Sequence, residues 1–265
     1  MATVKDIYTF LDQKAPFCMQ ADFDNAGLLV GREDAPVRRV LIALDITPQV
    51  ICEATELKAD LIVAHHPVIW GKIASITDAD STGRKLLSLI EHGMAAICAH
   101  TNLDAVEGGV NSALAQHLGL KGVTLLEQAG VLTEGVPYGI GRVGDLEQGP
   151  VSPQSFGEWV KQSLHLDGVR LLPGQRPVRR VAVGGGACGS MLPQAAALGC
   201  DAFVTADLKH DLYLEARELG LTLVDAGHFS TEVVICPVLR DWLQEAFPDL
   251  QVWISSVQEE VFSYL

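Results

Sequence analysis

VLIALDITPQVICEATELKADLIVAHHP, residues 40–67, reads as a strand, a helix and a second strand. Val40–Leu44 and Leu61–Ala64 are short apolar runs of the kind buried in a parallel sheet, and Pro48–Leu57 between them has helical spacing. Working outward, Arg84–Glu91 has helical spacing again and Ala95–Ala99 is a third buried strand. The order strand, helix, strand, helix, strand favours a mostly parallel sheet with helices on its faces, an α/β fold. Val4–Gln13 reads as an amphipathic helix ahead of this core, and Ala105–Leu118 as one helix after it.

The second half repeats the plan. Laying 38–66 over 179–207, an offset of 141, aligns 29 positions without a gap. Seven are identical: Arg38/Arg179, Arg39/Arg180, Val40/Val181, Ala54/Ala195, Leu57/Leu198, Asp60/Asp201 and Val63/Val204. Identity this low does not by itself exclude chance; the argument for duplication is that each copy is a strand, helix and strand followed by another helix and strand. In the second copy these last are Leu208–Leu219 and Leu221–Val224. The first copy alone carries IWGKIASITDADSTG, residues 69–83, which reads as a surface loop near a site. The expectation is two similar α/β lobes packed around a cleft. The first is 1–127, with His65, His66 and Asp104. The second is 128–265, with His228 and Glu232, its C-terminal segment able to return to the first lobe. The lobes are expected to meet near the glycine- and polar-rich stretch 128–150.

Length and charge bound the function. Two hundred and sixty-five residues allow one large domain or two modest ones. Thirty-three acidic against 19 basic residues give a net charge of −14, so the bulk surface repels polyanions, and neither nucleic acid nor an anionic membrane is a default partner. The longest apolar runs are strand-sized, and the opening MATVKDIYTFLDQK has no basic region followed by an apolar one, so a cytoplasmic protein is expected. Six cysteines, at 18, 52, 98, 188, 200 and 236, form no C-x-x-C and are too sparse for a disulfide framework; they read as reduced, mostly buried thiols. Cys98, inside a buried strand, is a poor candidate nucleophile.

Chemistry concentrates where α/β sheets bind ligands, beyond the carboxyl ends of strands. LIVA ends in His65-His66-Pro67. AAICA ends in His100-Thr101-Asn102-Leu103-Asp104, and LTLV is followed by Asp225-Ala226-Gly227-His228-Phe229-Ser230-Thr231-Glu232. Where Pro67 halts pairing, adjacent histidines can both turn to one cleft, and two neighbours suit two adjacent ions better than one. His228 and Glu232, four apart, share a face if a helix starts near Phe229. A carboxylate such as Glu232 or Asp104 can bridge two ions, and the mixed imidazole and carboxylate set fits Zn, Mn, Fe, Co or Ni better than Mg or Ca.

Taken singly, each residue has a plainer reading. His65 and His66 serve equally as hydrogen-bonded structural residues, Asp104 as a helix N-cap, and His228 with Glu232 as an exposed helical pair. His92, His117 and His165 read as structural or surface residues. The conjunction at three strand ends is what points to metal. A second signal is Gly184-Gly185-Gly186-Ala187-Cys188-Gly189, which follows the strand VAV and matches G-x-G-x-x-G, with Asp207 18 residues beyond. It reads as a tight packing turn, an anion site or a dinucleotide site; the aligned ALDITP of the first copy has no glycine, which favours the turn. The arginine pairs before each copy's first strand read as solvated. No G-x-S-x-G elbow and no Walker A loop is present.

These residues bring a family into view. DNAGLLVG at 24–31, AHHP at 64–67, AHTNLDAVEGGVN at 99–111, GIGRVGDL at 139–146, GGGACGS, FVTADLKHD at 203–211 and DAGHFSTE at 225–232 together resemble the GTP cyclohydrolase 1 type 2 homologs, also described as dinuclear-metal-centre hexameric proteins. The resemblance covers essentially the whole chain. It implies two similar lobes enclosing two divalent transition-metal ions, a homohexameric ring of this chain, and a small-molecule substrate. The reaction implied is hydrolytic opening of the guanine imidazole ring of GTP. Carried onto this chain, the implied ligands are His65, His66, Asp104, His228 and Glu232, with Asp104 and Glu232 the bridges. His100 is implied as a neighbouring residue that orients ligands or moves a proton, with Asn102. Where relatives show Thr-Gly-Asp followed by Lys-Tyr-His, this chain has Thr205-Ala206-Asp207-Leu208-Lys209-His210. The expected function is a metal-dependent hydrolase acting on a nucleotide or related substrate. The alternative is a non-catalytic metal-binding scaffold or metal-handling protein, since no dedicated general base stands out beyond the ligands.

Overall fold

The strand, helix and strand of 40–67 form as Arg39–Ala43, Pro48–Glu56 and Leu61–Ala64 in a computed structural model that describes residues 1–132 and 135–265. Thr133 and Glu134, within the 128–150 stretch, lie outside the described residues. The chain divides into two units, Met1–Leu103 with Cys236–Glu259, and Asp104–Ile235 with Glu260–Leu265.

In the first unit the sheet order is Gln251–Ile254, Arg39–Ala43, Leu61–Ala64, Ala95–Cys98, Gly27–Val30. The first four run parallel and Gly27–Val30 is antiparallel at the edge. Every residue of Leu61–Ala64 and Ala95–Cys98 is buried, because both sheet faces are covered; this is why the sequence shows continuous apolar runs rather than alternation. Leu41, Ala43, Ile62 and Ala64 pack with Val50, Ile51 and Ala54 of one helix and with Leu86 and Leu89 of Ser81–Glu91. Thr47 and Asp80 cap these two helices by accepting from Val50 N and Gly83 N.

The second unit has the order Arg170–Leu172, Thr222–Asp225, Ala202–Thr205, Arg180–Val183, Arg142–Leu146, Leu120–Leu125. Three central strands are parallel; the rest join antiparallel. Phe203, Ala182, Val143, Leu192, Ala195 and Leu223 share its core.

The repeat is structural. Asp60 Oδ2 accepts from Arg38 N and Arg39 N at 2.8 and 2.9 Å, and Asp201 Oδ2 accepts from Arg179 N and Arg180 N at 3.1 and 2.9 Å. The identities at offset 141 therefore mark one device used twice: a carboxylate that ties down the main chain entering the first strand.

Two expectations change. The division falls after Leu103 and Ile235, not after 127. Leu120–Leu125 pairs with Arg142–Leu146 in the second sheet, whereas Gln251–Ile254 pairs with Arg39–Ala43 in the first. Asp104 accordingly belongs to the second unit. The single helix expected over 105–118 is two, Thr101–Ala105 and Val110–His117, broken at Glu107-Gly108-Gly109, where Gly108 has φ +77°. Asp104 lies within the first of these and is not the cap of the second, a place taken by Gly109.

All six cysteines are free thiols. Cys98, Cys200 and Cys236 are buried, while Cys18 and Cys52 are exposed. Burial pushes the Cys98 thiol up to about 12, which agrees with an inert role. Among the described residues no helix is long and apolar enough to cross a membrane.

Candidate metal centre

In the first unit, parallel pairing ends Leu61–Ala64 and Ala95–Cys98 side by side, so His65 and His66 emerge next to His100. Ring nitrogens of the three histidines lie within 4.8 Å of one another. The ring centroids are 5.0 Å apart for His65–His66, 5.1 Å for His65–His100 and 5.5 Å for His66–His100. Each Nδ1 faces an oxygen at 2.8 Å: Ala99 O for His65, Asp45 Oδ1 for His66 and Asp24 Oδ1 for His100. With Nδ1 donating, Nε2 carries the lone pair of the neutral ring, the tautomer a metal ion requires.

Asp24 is the most constrained of these acceptors. It takes hydrogen bonds from His100 Nδ1, Thr101 N and Thr101 Oγ1. Burial opposes its ionisation, but these donors outweigh burial and hold the carboxyl well below the usual carboxylate range. Asn102 is fully buried, and its side chain is spent on the main chain, accepting from His100 N at 2.9 Å and donating to Ala15 O at 2.6 Å. These bonds tie down the main chain at His100. Trp70, in the expected surface loop, sets its ring edge-on to His100 at 5.1 Å.

In the second unit, His228–Glu232 forms one short helix, so the four-residue spacing does bring the two side chains together. His228 Nδ1 contacts Asp207 Oδ2 at 2.7 Å and its Nε2 contacts Glu232 Oε2 at 3.1 Å. The Glu232 hydrogen bond, reinforced by Asp207, overcomes burial and raises His228 to about 9. An ion binding at Nε2 must displace that proton. Carboxylate oxygens of Asp104 and Glu232 lie within 4.8 Å of each other.

The glycine turn explains how Glu232 reaches its place. A Cβ on Gly186 would fall 2.2 Å from Glu232 Oε1, and one on Gly185 would fall 3.3 Å from Glu232 Cγ. Four of the turn's amides are spent inside the unit: Gly184 N donates to Val204 O, Gly185 N to Asn111 Oδ1, Gly186 N to Thr231 Oγ1 and Cys188 N to Thr205 Oγ1. The helix that follows, Leu192–Ala197, is short and preceded by a single 3-10 turn. Of the three readings of G-x-G-x-x-G, close packing is the one the geometry supports, and Asp207 serves His228 rather than a ribose.

The other histidines stand outside these groups. His92 and His117 bond main-chain oxygens of their own helices, His165 adopts φ +55°, and His210 is exposed at the start of its helix. Sequence reading missed Asp24 and Asp45 as partners of His100 and His66. The duplication holds a signal for Asp207: 207 − 66 = 141 places it where the first copy has His66.

A family model described as Duf34/NIF3 (NGG1p interacting factor 3) matches residues 2–260. A GTP cyclohydrolase 1 type 2 homolog of Clostridium perfringens is 31% identical over 264 residues, covering 99% of each chain. One from Streptomyces coelicolor is 35% identical over 263 residues, covering 96% of this chain and 92% of its own. The fold is that of a Bacillus cereus protein related to NIF3, with a TM-score of 0.93 at 24% identity over 100% of this chain and 99% of that one. Matched from residue 2 to residue 260, and with relatives of this identity along almost its whole length, the chain belongs to the Duf34/NIF3 family.

Proposed function

We propose that the protein is a metal-dependent hydrolase that holds two divalent transition-metal ions, of the set Zn, Mn, Fe, Co and Ni, through His65, His66, Asp104, His228 and Glu232. The observation that carries the reading is the first unit's three strand-end histidines, which bring ring nitrogens within 4.8 Å of one another and each hold Nδ1 against an oxygen. Carboxylates behind imidazoles are the usual support of bound metal, since they fix the tautomer and raise the basicity of the ring. Asp45 does this for His66, Asp207 for His228 and Asp24 for His100. Neutral imidazoles and carboxylates together select borderline cations over Mg and Ca.

When bound, such ions supply Lewis-acid polarisation of a carbonyl, ring carbon or phosphoryl group and activate water near neutral pH. The chain's part is to fix the donor atoms in advance. Glu232 is held against the glycine turn, and His100, oriented by Asp24 and Asn102, is placed to orient ligands or to take and return a proton at Nε2. The names of the relatives support a nucleotide or related small molecule as substrate. A homohexamer, on the family resemblance, and a cytoplasmic location, on the sparse reduced cysteines, complete the reading; light scattering should give six times the 28.4 kDa chain mass.

Metal analysis of protein purified without chelator or histidine tag should find about two ions per chain, and Glu232→Gln should lose metal and turnover together. Turnover at the parent rate after metal is lost would sink metal catalysis. Bound ions with no turnover across nucleotides, phosphoesters and amides would instead favour a non-catalytic metal-binding scaffold.

A further inference from the structure

We propose that Asn111 and Arg142 are positioning residues for the carboxylates of Asp104 and Glu232, acting through the main chain that carries them; the proposal rests on the metal-binding reading above. Both side chains are polar and buried, at 0% and 4% exposure, and neither touches a carboxylate in any hydrogen bond described. Polar side chains taken this far from water need a full set of partners, and three of the seven hydrogen bonds this pair makes fall on one segment, residues 104–106.

Three successive carbonyls, beginning at Asp104, are held by this pair. Asn111 Nδ2 donates to Asp104 O at 3.0 Å, and Arg142 Nη2 donates to Ala105 O and Val106 O at 3.3 and 2.6 Å. The remaining Arg142 donors anchor it from the other side, to Gly139 O, Gly141 O and Ser112 Oγ. The segment these bonds hold precedes the glycines that break the helix, so no helical hydrogen-bond ladder runs through it to the next helix.

Asn111 also reaches the other carboxylate's support. Its Oδ1 accepts from Gly185 N at 2.9 Å, and Gly185 and Gly186 form the surface against which Glu232 lies. One amide, donating at one end and accepting at the other, thus ties the Asp104 main chain to the Glu232 seat. Only a side chain with one donor and one acceptor in that geometry does both. An aspartate at 111 offers two acceptors and repels Asp104 O. A lysine at 142 keeps the charge but lacks the planar fork that spans several carbonyls.

The test compares Asn111→Asp and Arg142→Lys with Leu114→Ala, a change of a buried apolar residue in the same helix as Asn111. Zinc affinity is read by chelator competition and melting temperature by calorimetry on the full chain, and the cobalt(II) protein supplies a visible spectrum. Expected is a loss of zinc affinity of about 10- to 100-fold in both polar variants, with an altered cobalt spectrum. Leu114→Ala should melt earlier yet bind zinc as the parent does. Should Asn111→Asp not fold, Asn111→Ser carries the same expectation. The proposal is overturned if the polar variants keep parent affinity, or if Leu114→Ala weakens zinc binding in the same proportion to its melting temperature. Parent protein that takes up no ion overturns the metal reading as well, whereas a binding parent with unaffected polar variants overturns this proposal alone.

Discussion

Gly186 shows how one residue type carries the second unit's site. Its φ of +62° lies in the left-handed region, and any Cβ there would also meet Glu232 Oε1 at 2.2 Å and His228 Nε2 at 3.1 Å. Gly199 has φ +71° but open space around the missing Cβ. Gly199→Ala should therefore cost only backbone strain, about 1 kcal/mol, and keep its metal. Gly186→Ala should cost about 2–3 kcal/mol and lose metal, because the carboxylate must move. Urea unfolding together with metal content distinguishes them, and equal metal content in the two variants would contradict the role given to the turn. At this scale the strand-end histidines were legible because they follow apolar runs directly. Asp24, Asp45 and Asp207 were not, because the hydrogen bonds that define them span 76, 21 and 21 residues and leave no local pattern.

Among the elements, the final strand is tied to the first unit by a carboxylate on a helix. Glu53, in Pro48–Glu56, accepts from Ser255 Oγ, Ser256 N and Ser256 Oγ, just past Gln251–Ile254. Burial opposes ionisation, but these donors outweigh it and lower the Glu53 carboxyl from its ordinary 4.5. A lowered folded value means that the ionised carboxylate stabilises the fold fully above about pH 4.5 and that this is lost as pH falls through the folded value. Glu53→Gln should cost about 1–2 kcal/mol at pH 7, with the gap to the parent narrowing as the buffer is taken below pH 4.5. Urea midpoints at a series of pH values measure it; a gap independent of pH would refute the ionic account. The edge strands Gly27–Val30 and Gln251–Ile254 and the helices Pro153–Ser163 and Ile235–Ala246 left no signal that was read, whereas the elements read from the sequence were legible to within a few residues. The exception is the helix read as 105–118, where apolar periodicity runs on through Gly108-Gly109 although the backbone breaks there.

For the molecule as a whole, ions that bind the folded chain alone must raise its stability. At about 100 times the dissociation constant the gain is about 2.7 kcal/mol, or a rise of about 5–10 °C in melting temperature for a chain of this size. Calorimetry with zinc and then with excess chelator should show the rise and its reversal, and an unchanged melting temperature would argue that no ion is held. By itself the sequence determined that this is an α/β protein built from a duplicated strand, helix and strand, because buried parallel strands must be apolar throughout and helices must keep their period. It also placed His65, His66 and His100 just past strand ends, where the strand fixes the side chain, and His228 with Glu232 four apart on one face of the helix that follows the strand ending at Asp225. Tertiary structure alone decided that the chain leaves the first unit at Leu103 and returns at Cys236, and that Asp104 falls in the second. Strand pairing between Gln251–Ile254 and Arg39–Ala43 joins residues more than two hundred positions apart, a partnership settled by burial and main-chain hydrogen bonds that neighbouring residues do not encode.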